Sequence, residues 1–172
     1  MPRRRESVQA DRPATAVGRD STRHRLCLVK VIAIHIAPGS RIPTRPVDAV
    51  VAEARKGLIG DRYHGSRHRQ VTLQSRESLD RAAEDLGHEF DSHATRRNIT
   101  VDAGDIPVTP GTRIQIGEAE FEVVRDAAPC RLLDDWIGPG AMKALRGRAG
   151  SALRVLSTGT VRVGDRVVII TP

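Results

Sequence analysis

From Leu26 onward the chain alternates short apolar segments with turn-forming residues. Residues 26–36 (LCLVKVIAIHI) are rich in β-branched side chains and half-alternating, which predicts a strand. Pro38, Gly39, Pro43 and Pro46 force a loop, and residues 47–54 fit a second strand. Residues 57–69 (GLIGDRYHGSRHR) carry three glycines, mixed charge and no period, so they read as a long loop. Long loops inside compact domains are often functional. A short strand at 70–73 precedes the clearest helix of the chain. Ser75 suits its N-cap and Glu77 its first turn; Leu79, Ala82, Ala83 and Leu86 share one face, and Gly87 stops it.

The second half reads as β-rich. Residues 98–101 predict a strand, and residues 113–116 and 119–124 flank Gly117-Glu118 as a hairpin. Short helices are expected around 132–136 and 141–145. Terminal strands are expected at 154–156 and 166–171, with turns at Thr158-Gly159 and Gly164-Asp165. Many short strands with one clear helix predict a mainly β (α+β) fold, a closed or half-closed β-barrel with a few short helices. Strands and helices do not alternate, which disfavours a doubly wound α/β sheet.

Composition sharpens this picture. The chain has 172 residues, one domain's length, and 39% hydrophobic residues, but its aromatics are only Tyr63, Phe90, Phe121 and Trp136. The core must be aliphatic. No apolar run approaches the roughly 20 residues of a membrane helix, and a cytoplasmic location is expected. The formal charge of +7 invites a polyanion-binding reading. Residues 1–25, however, hold seven arginines against three acidic residues, a net +4 with almost no bulky apolar side chain. That segment reads as a disordered Arg-rich tail, leaving 26–172 as a single domain. No apolar stretch follows its arginines, so it is not a secretory signal, and its acidic residues argue against a transit peptide. With few aromatics for base stacking and no recognised motif, no specific nucleic-acid partner is expected.

Candidate chemistry falls in three clusters. Cys130 sits in a loop after a strand, between Pro129 and Arg131. A neighbouring guanidinium favours thiolate, which is a nucleophile, a persulfide carrier and a soft metal ligand. An ordinary small hydrophobe is the alternative. Cys27, inside an apolar strand, reads as an inert packed thiol. Gly60-Asp61-Arg62-Tyr63-His64-Gly65 could bring backbone N–H groups, Arg62 and His64 to an anion, or could be a charged surface turn; it lacks a phosphate-loop pattern. Thr95-Arg96-Arg97-Asn98 precedes a strand, so alternation predicts Arg96 and Asn98 on one side and Arg97 on the other. His64 and His68 lie in a glycine-containing loop, where their spacing loses the meaning it has on a helix.

The order GLIGDRYHG, QVTL, TRRNITV, RIQIGEAEFEVV, APCRLL and GRAGSALRVLSTGTVRVGDRVV resembles the MOSC domain, the C-terminal domain of molybdenum-cofactor sulfurases, over residues 28–170. The resemblance implies a β-barrel fold whose loop cysteine, here Cys130, carries sulfur or binds molybdenum in a pterin cofactor. It implies that Arg96 and Asn98 line the pterin site and that Gly60, Asp61 and His64 stand at the cavity mouth, with Arg131 beside the thiol. No pyridoxal-phosphate domain and no iron–sulfur or flavin domain accompanies it, so a separate electron-donor protein or cysteine desulfurase is implied as partner. Two activities follow: reduction of small N-hydroxylated compounds with external electrons, or non-enzymatic persulfide transfer.

Overall fold

The computed structural model describes residues 29–170. The expected tail at 1–25 and Cys27 lie outside the described residues. The chain forms strands β1 (Val31–Ile36), β2 (Arg45–Pro46), β3 (Ala49–Glu53), β4 (Gly57–Leu58) and β5 (Val71–Ser75). Helix α1 (Arg76–Leu86) and a 3-10 turn (Ser92–Thr95) lead to β6 (Ile99–Val101), β7 (Arg113–Ile116) and β8 (Ala119–Asp126). Helices α2 (Leu132–Trp136) and α3 (Ala141–Ala144) precede β9 (Ser151–Val155), β10 (Gly159–Arg162) and β11 (Val167–Ile170).

Eight strands run in the order β11-β7-β8-β9-β5-β6-β1-β2, and a smaller sheet runs β10-β3-β4. The large sheet curls into the half-barrel expected from the pattern of short strands. Edge strand β11 comes back to the start of β1 where Lys30 bridges Arg166, with Val31 N–H bonded to the Asp165 carbonyl at 2.9 Å and Val167 N–H to the Val29 carbonyl at 2.9 Å. Every pairing is antiparallel except β5 with β6, where α1 and the 3-10 turn form the crossover.

The core is aliphatic, as the composition requires, with Phe121 its one fully buried aromatic. Along β8, Ala119, Phe121 and Val123 are buried, while Glu120, Glu122 and Val124 are half-buried. Each fully buried Leu, Ile or Phe contributes about 1.5–3 kcal/mol. The β7–β8 hairpin turns at Gly117-Glu118 as predicted, with Gly117 at φ 55° supplying the positive φ that a two-residue turn needs. Strand β5 is buried on both faces. Its polar side chains are satisfied: Gln74 donates to the Ser92 carbonyl and the Thr100 hydroxyl and accepts from Thr95 Oγ1 at 2.7 Å. Helix α1 begins and ends where expected, with the Ser75 hydroxyl accepting from Ser78 N–H and Gly87 in the left-handed conformation. Leu79 and Ala82 pack against Leu133, Ala141 and Leu145, a small second core that ties α1 to α2 and α3.

One predicted turn is a strand. Residues Gly159–Arg162 form β10, which pairs with β3 from Gly159↔Ala52 to Arg162↔Ala49. A Cβ on Gly159 would stand 2.5 Å from the Glu118 carbonyl carbon. The glycine therefore serves close strand approach rather than a reversal. Within the expected long loop, Gly57–Leu58 is likewise strand, paired with β3.

Candidate functional site

The long loop is fixed to the sheet by one carboxylate. Asp61 Oδ2 accepts from Ala37 N–H at 3.0 Å and Asn98 Nδ2 at 3.1 Å, and Oδ1 accepts from Tyr63 N–H at 3.0 Å. Gly60, at φ 84°, lets the chain turn into this arrangement. Gln70 anchors the other end, donating to the Arg55 and Ser66 carbonyls and accepting from Val155 N–H. The tether aims Arg62 and Tyr63 toward the end of β1, where Arg62 N–H bonds the Ala37 carbonyl at 2.7 Å.

Asn98 forms the partner knot. Its Oδ1 accepts from the Thr72 N–H and hydroxyl, while Nδ2 donates to the His35 carbonyl and Asp61. Only 1% exposed and fully hydrogen-bonded, Asn98 joins β1, β5 and the loop rather than lining the cavity.

Strand alternation does not apply to the two arginines before it. Arg96 sits at φ 60°, left-handed, ending the 3-10 turn. Regular β6 starts only at Ile99. Arg96 and Arg97 consequently line the same cavity, correcting the expectation that they face opposite sides.

That cavity, of about 130 Å³, is lined by Arg41, Arg62, Arg69, Arg96, Arg97, Tyr63 and Cys130. Cys130 is exposed and lies two residues before α2. The guanidinium carbons of Arg62 and Arg69 lie 4.5 and 4.4 Å from the Tyr63 ring centroid. Arg96 lies over Trp136 at 5.1 Å, and its Nη1 donates to the Ile42 carbonyl. Arg62 Nη2 donates to the Arg96 carbonyl, and Arg97 Nη2 to the Ala127 and Ala128 carbonyls. Among the described residues, the one ion pair made by these five arginines is Arg62 with Asp61, at 3.6 Å.

The remaining positive charge is costly. Burial first, then repulsion from Arg69, lowers the Arg97 pKa to about 10, against an opposing pull from Cys130. Burial also lowers Arg69, opposed by Tyr63, and lowers Arg96, aided by Arg62. Among the described residues, Arg69 Nε and Arg97 Nε are buried with no hydrogen-bond acceptor, and Arg62 Nη1, also without one, has only the Asp61 carboxylate at 3.6 Å. Buried donors normally have acceptors, so three without one around a single cavity leave positive charge that an anion would complement.

Of the residues singled out in the sequence, Arg96 and Cys130 meet at this cavity, and Arg62 joins them. Gly60, Asp61 and Asn98 lie behind it as supports. His64 points away, its Nε2 3.0 Å from Glu53 Oε2, and Glu53 is held below its ordinary pKa by Lys56 first and by His64 second. Arg131 is exposed and outside the lining. Arg41, Arg69 and Trp136 carry no local sequence signal of a site role, because their contacts come from segments distant in the chain.

No described helix is long and apolar enough to cross a membrane. Comparison with curated proteins finds no significant match. Among solved structures, YuaD of Bacillus subtilis superposes with a TM-score of 0.75 at 19% identity, covering 81% of this chain and 93% of its own. YiiM of Geobacillus stearothermophilus gives 0.67 at 20% identity, with 83% and 75% covered. YiiM of Escherichia coli gives 0.65 at 18% identity, with 83% and 70% covered. These likenesses establish the fold. Residues 60–168, well over half of the chain, match the model of the MOSC domain, and the chain belongs to that family.

Proposed function

We propose that this chain binds a molybdenum–pterin cofactor, with Cys130 as the protein ligand of the metal, and reduces small N-hydroxylated compounds with electrons from a partner protein. The observation that carries this reading is the exposed Cys130 thiol on a cavity walled by five arginines, three of them with a buried N–H that has no hydrogen-bond acceptor among the described residues. The residues fit the cofactor chemically. A pterin phosphate supplies the acceptor and negative charge that the guanidiniums lack. A thiolate is the soft ligand a transition metal takes. Among the described residues no three His, Cys, Asp or Glu side chains cluster as a metal site, so the metal would take one protein ligand and bring the others with the pterin.

When bound, the cofactor supplies the two-electron oxygen-removal chemistry. The chain's own residues bind and orient. Arg62 and Arg96 grip the phosphate, Tyr63 spaces the guanidiniums, and Asp61 and Asn98 hold the loop and the β6 entry in place. The balance is R–NHOH plus two electrons and two protons giving R–NH2 and water, so an electron donor is required. Expression in a host that makes the cofactor, followed by elemental analysis, tests the binding. About one molybdenum per chain supports it; metal-free protein with Cys130 intact overturns it.

The second reading is a sulfur carrier, favoured by the same exposed thiol with no metal-ligand cluster around it among the described residues. Incubation with a desulfurase and cysteine would then add about 32 Da at Cys130, one sulfur atom.

A further inference from the structure

The arginines of the cavity are not equivalent in their partners. Arg62 is paired with Asp61, and Arg96 is held by the Ile42 carbonyl and Trp136, whereas Arg69 and Arg97 have no carboxylate partner among the described residues. Both Arg69 and Arg97 line the cavity with the thiol, and in both the Nε is buried and unbonded. Arg97 is only 5% exposed, and both hydrogen bonds of its guanidinium come from Nη2, to the Ala127 and Ala128 carbonyls. Its Nε is thus an unpartnered donor on a side chain nine-tenths buried, at the cavity that Cys130 also lines.

We propose that Arg69 and Arg97 form an anion subsite next to Cys130, which takes the carboxylate or oxoanion group of whatever molecule approaches the sulfur. The subsite goes beyond the cofactor reading: Arg62 and Arg96 suffice for one phosphate, and the second pair selects a negatively charged reactant. Two fork-shaped guanidiniums with free N–H groups hold a carboxylate by charge-assisted hydrogen bonds. The substrate class this implies is an acid or phosphate ester rather than a neutral or cationic compound.

The test uses the full chain carrying Cys27→Ser, without added cofactor, and reads alkylation of Cys130 by mass spectrometry. In that reaction the Sγ–C bond forms as the C–I bond breaks, iodide leaves with the bonding pair, and the thiol proton goes to solvent. Rates are compared for anionic iodoacetate and neutral iodoacetamide, with 2-mercaptoethanol as reference thiol. The iodoacetate-to-iodoacetamide ratio at Cys130 should exceed that of the reference by about tenfold or more, and should fall steeply with ionic strength. Inorganic sulfate should slow alkylation by iodoacetate. Arg69→Gln should return most of the ratio toward the reference; any loss of thiolate slows both reagents alike and cancels in the ratio. A wild-type ratio equal to the reference, or one that Arg69→Gln leaves unchanged, overturns the proposal; the wild-type comparison needs no variant to fold. Because no molybdenum enters the assay, a failure here is distinguishable from a failure of cofactor binding.

Discussion

Asp61 is the residue whose removal should cost the site most, and the cost can be worked from its contacts. Its carboxylate is fully buried and accepts from Ala37 N–H, Tyr63 N–H and Asn98 Nδ2, with Arg62 Nη1 at 3.6 Å. Asp61→Ala leaves three buried donors without an acceptor and one guanidinium without its counter-charge. Unsatisfied buried donors cost about 1–3 kcal/mol each, and breaking a buried ion pair costs about 3–5 kcal/mol. These terms overlap, so the expected loss is about 4 kcal/mol. Asp61→Asn keeps one oxygen for Ala37 and Asn98 but turns an NH2 toward Tyr63 N–H, an expected loss of about 2 kcal/mol. Urea melts followed by Trp136, the only tryptophan, give both values. The midpoint should fall with m unchanged, and Tm for Asp61→Ala should drop by about 12 °C. An Asp61→Ala protein within about 0.5 kcal/mol of wild type would refute the reasoning.

Three further outcomes are expected. The pKa of His35 is lowered, first by burial and then by His93, from an ordinary 6.5, and its Nδ1 is unbonded. The unfolded chain therefore binds that proton more readily, and stability should decline as pH falls from 6.5 toward the lowered folded value; His35→Phe should flatten the decline in melts across pH 5–7. Gly150 has φ 79° and faces the Leu73 carbonyl, where a Cβ cannot fit. Gly150→Ala should lose about 2–4 kcal/mol in the same urea assay, through strain and backbone displacement. Ser75→Ala should lose about 1 kcal/mol, because it removes the acceptor for Ser78 N–H at the start of α1.

Much of the fold is legible where local chemistry agrees with tertiary packing. Helix α1 lies between Ser75 and Gly87 because both caps are chemically marked and its apolar face has a partner in α2 and α3. The β7–β8 hairpin is legible because Gly117 fixes the turn and alternation fixes the face. Strand β10 is not, because Gly159 carries a turn signal locally and owes its presence to the Glu118 backbone packed against it. The same division holds at the site. Cys130 is marked by its loop and by the family resemblance, and Arg96 by its motif. The side on which Arg97 lies depends on the left-handed backbone of Arg96, which strand periodicity cannot express. Arg69 is one of several arginines in a polar loop until Gln70 locks that loop to the sheet.

The positive charge of the domain acquires a specific meaning from this arrangement. Five arginines converge on one cavity with a single carboxylate paired to them, and burial already disfavours the charge of Arg69, Arg96 and Arg97. Such a cluster is held together by the fold and relieved by a ligand, so anion binding should also stabilise the protein by mass action.

The central claim is that Cys130 ligates molybdenum. X-ray absorption at the molybdenum edge, on protein from a cofactor-producing host, counts sulfur neighbours directly. Wild-type protein should show one more sulfur at bonding distance than a Cys130→Ser protein loaded in the same way. Equal sulfur counts in the two proteins would contradict the account.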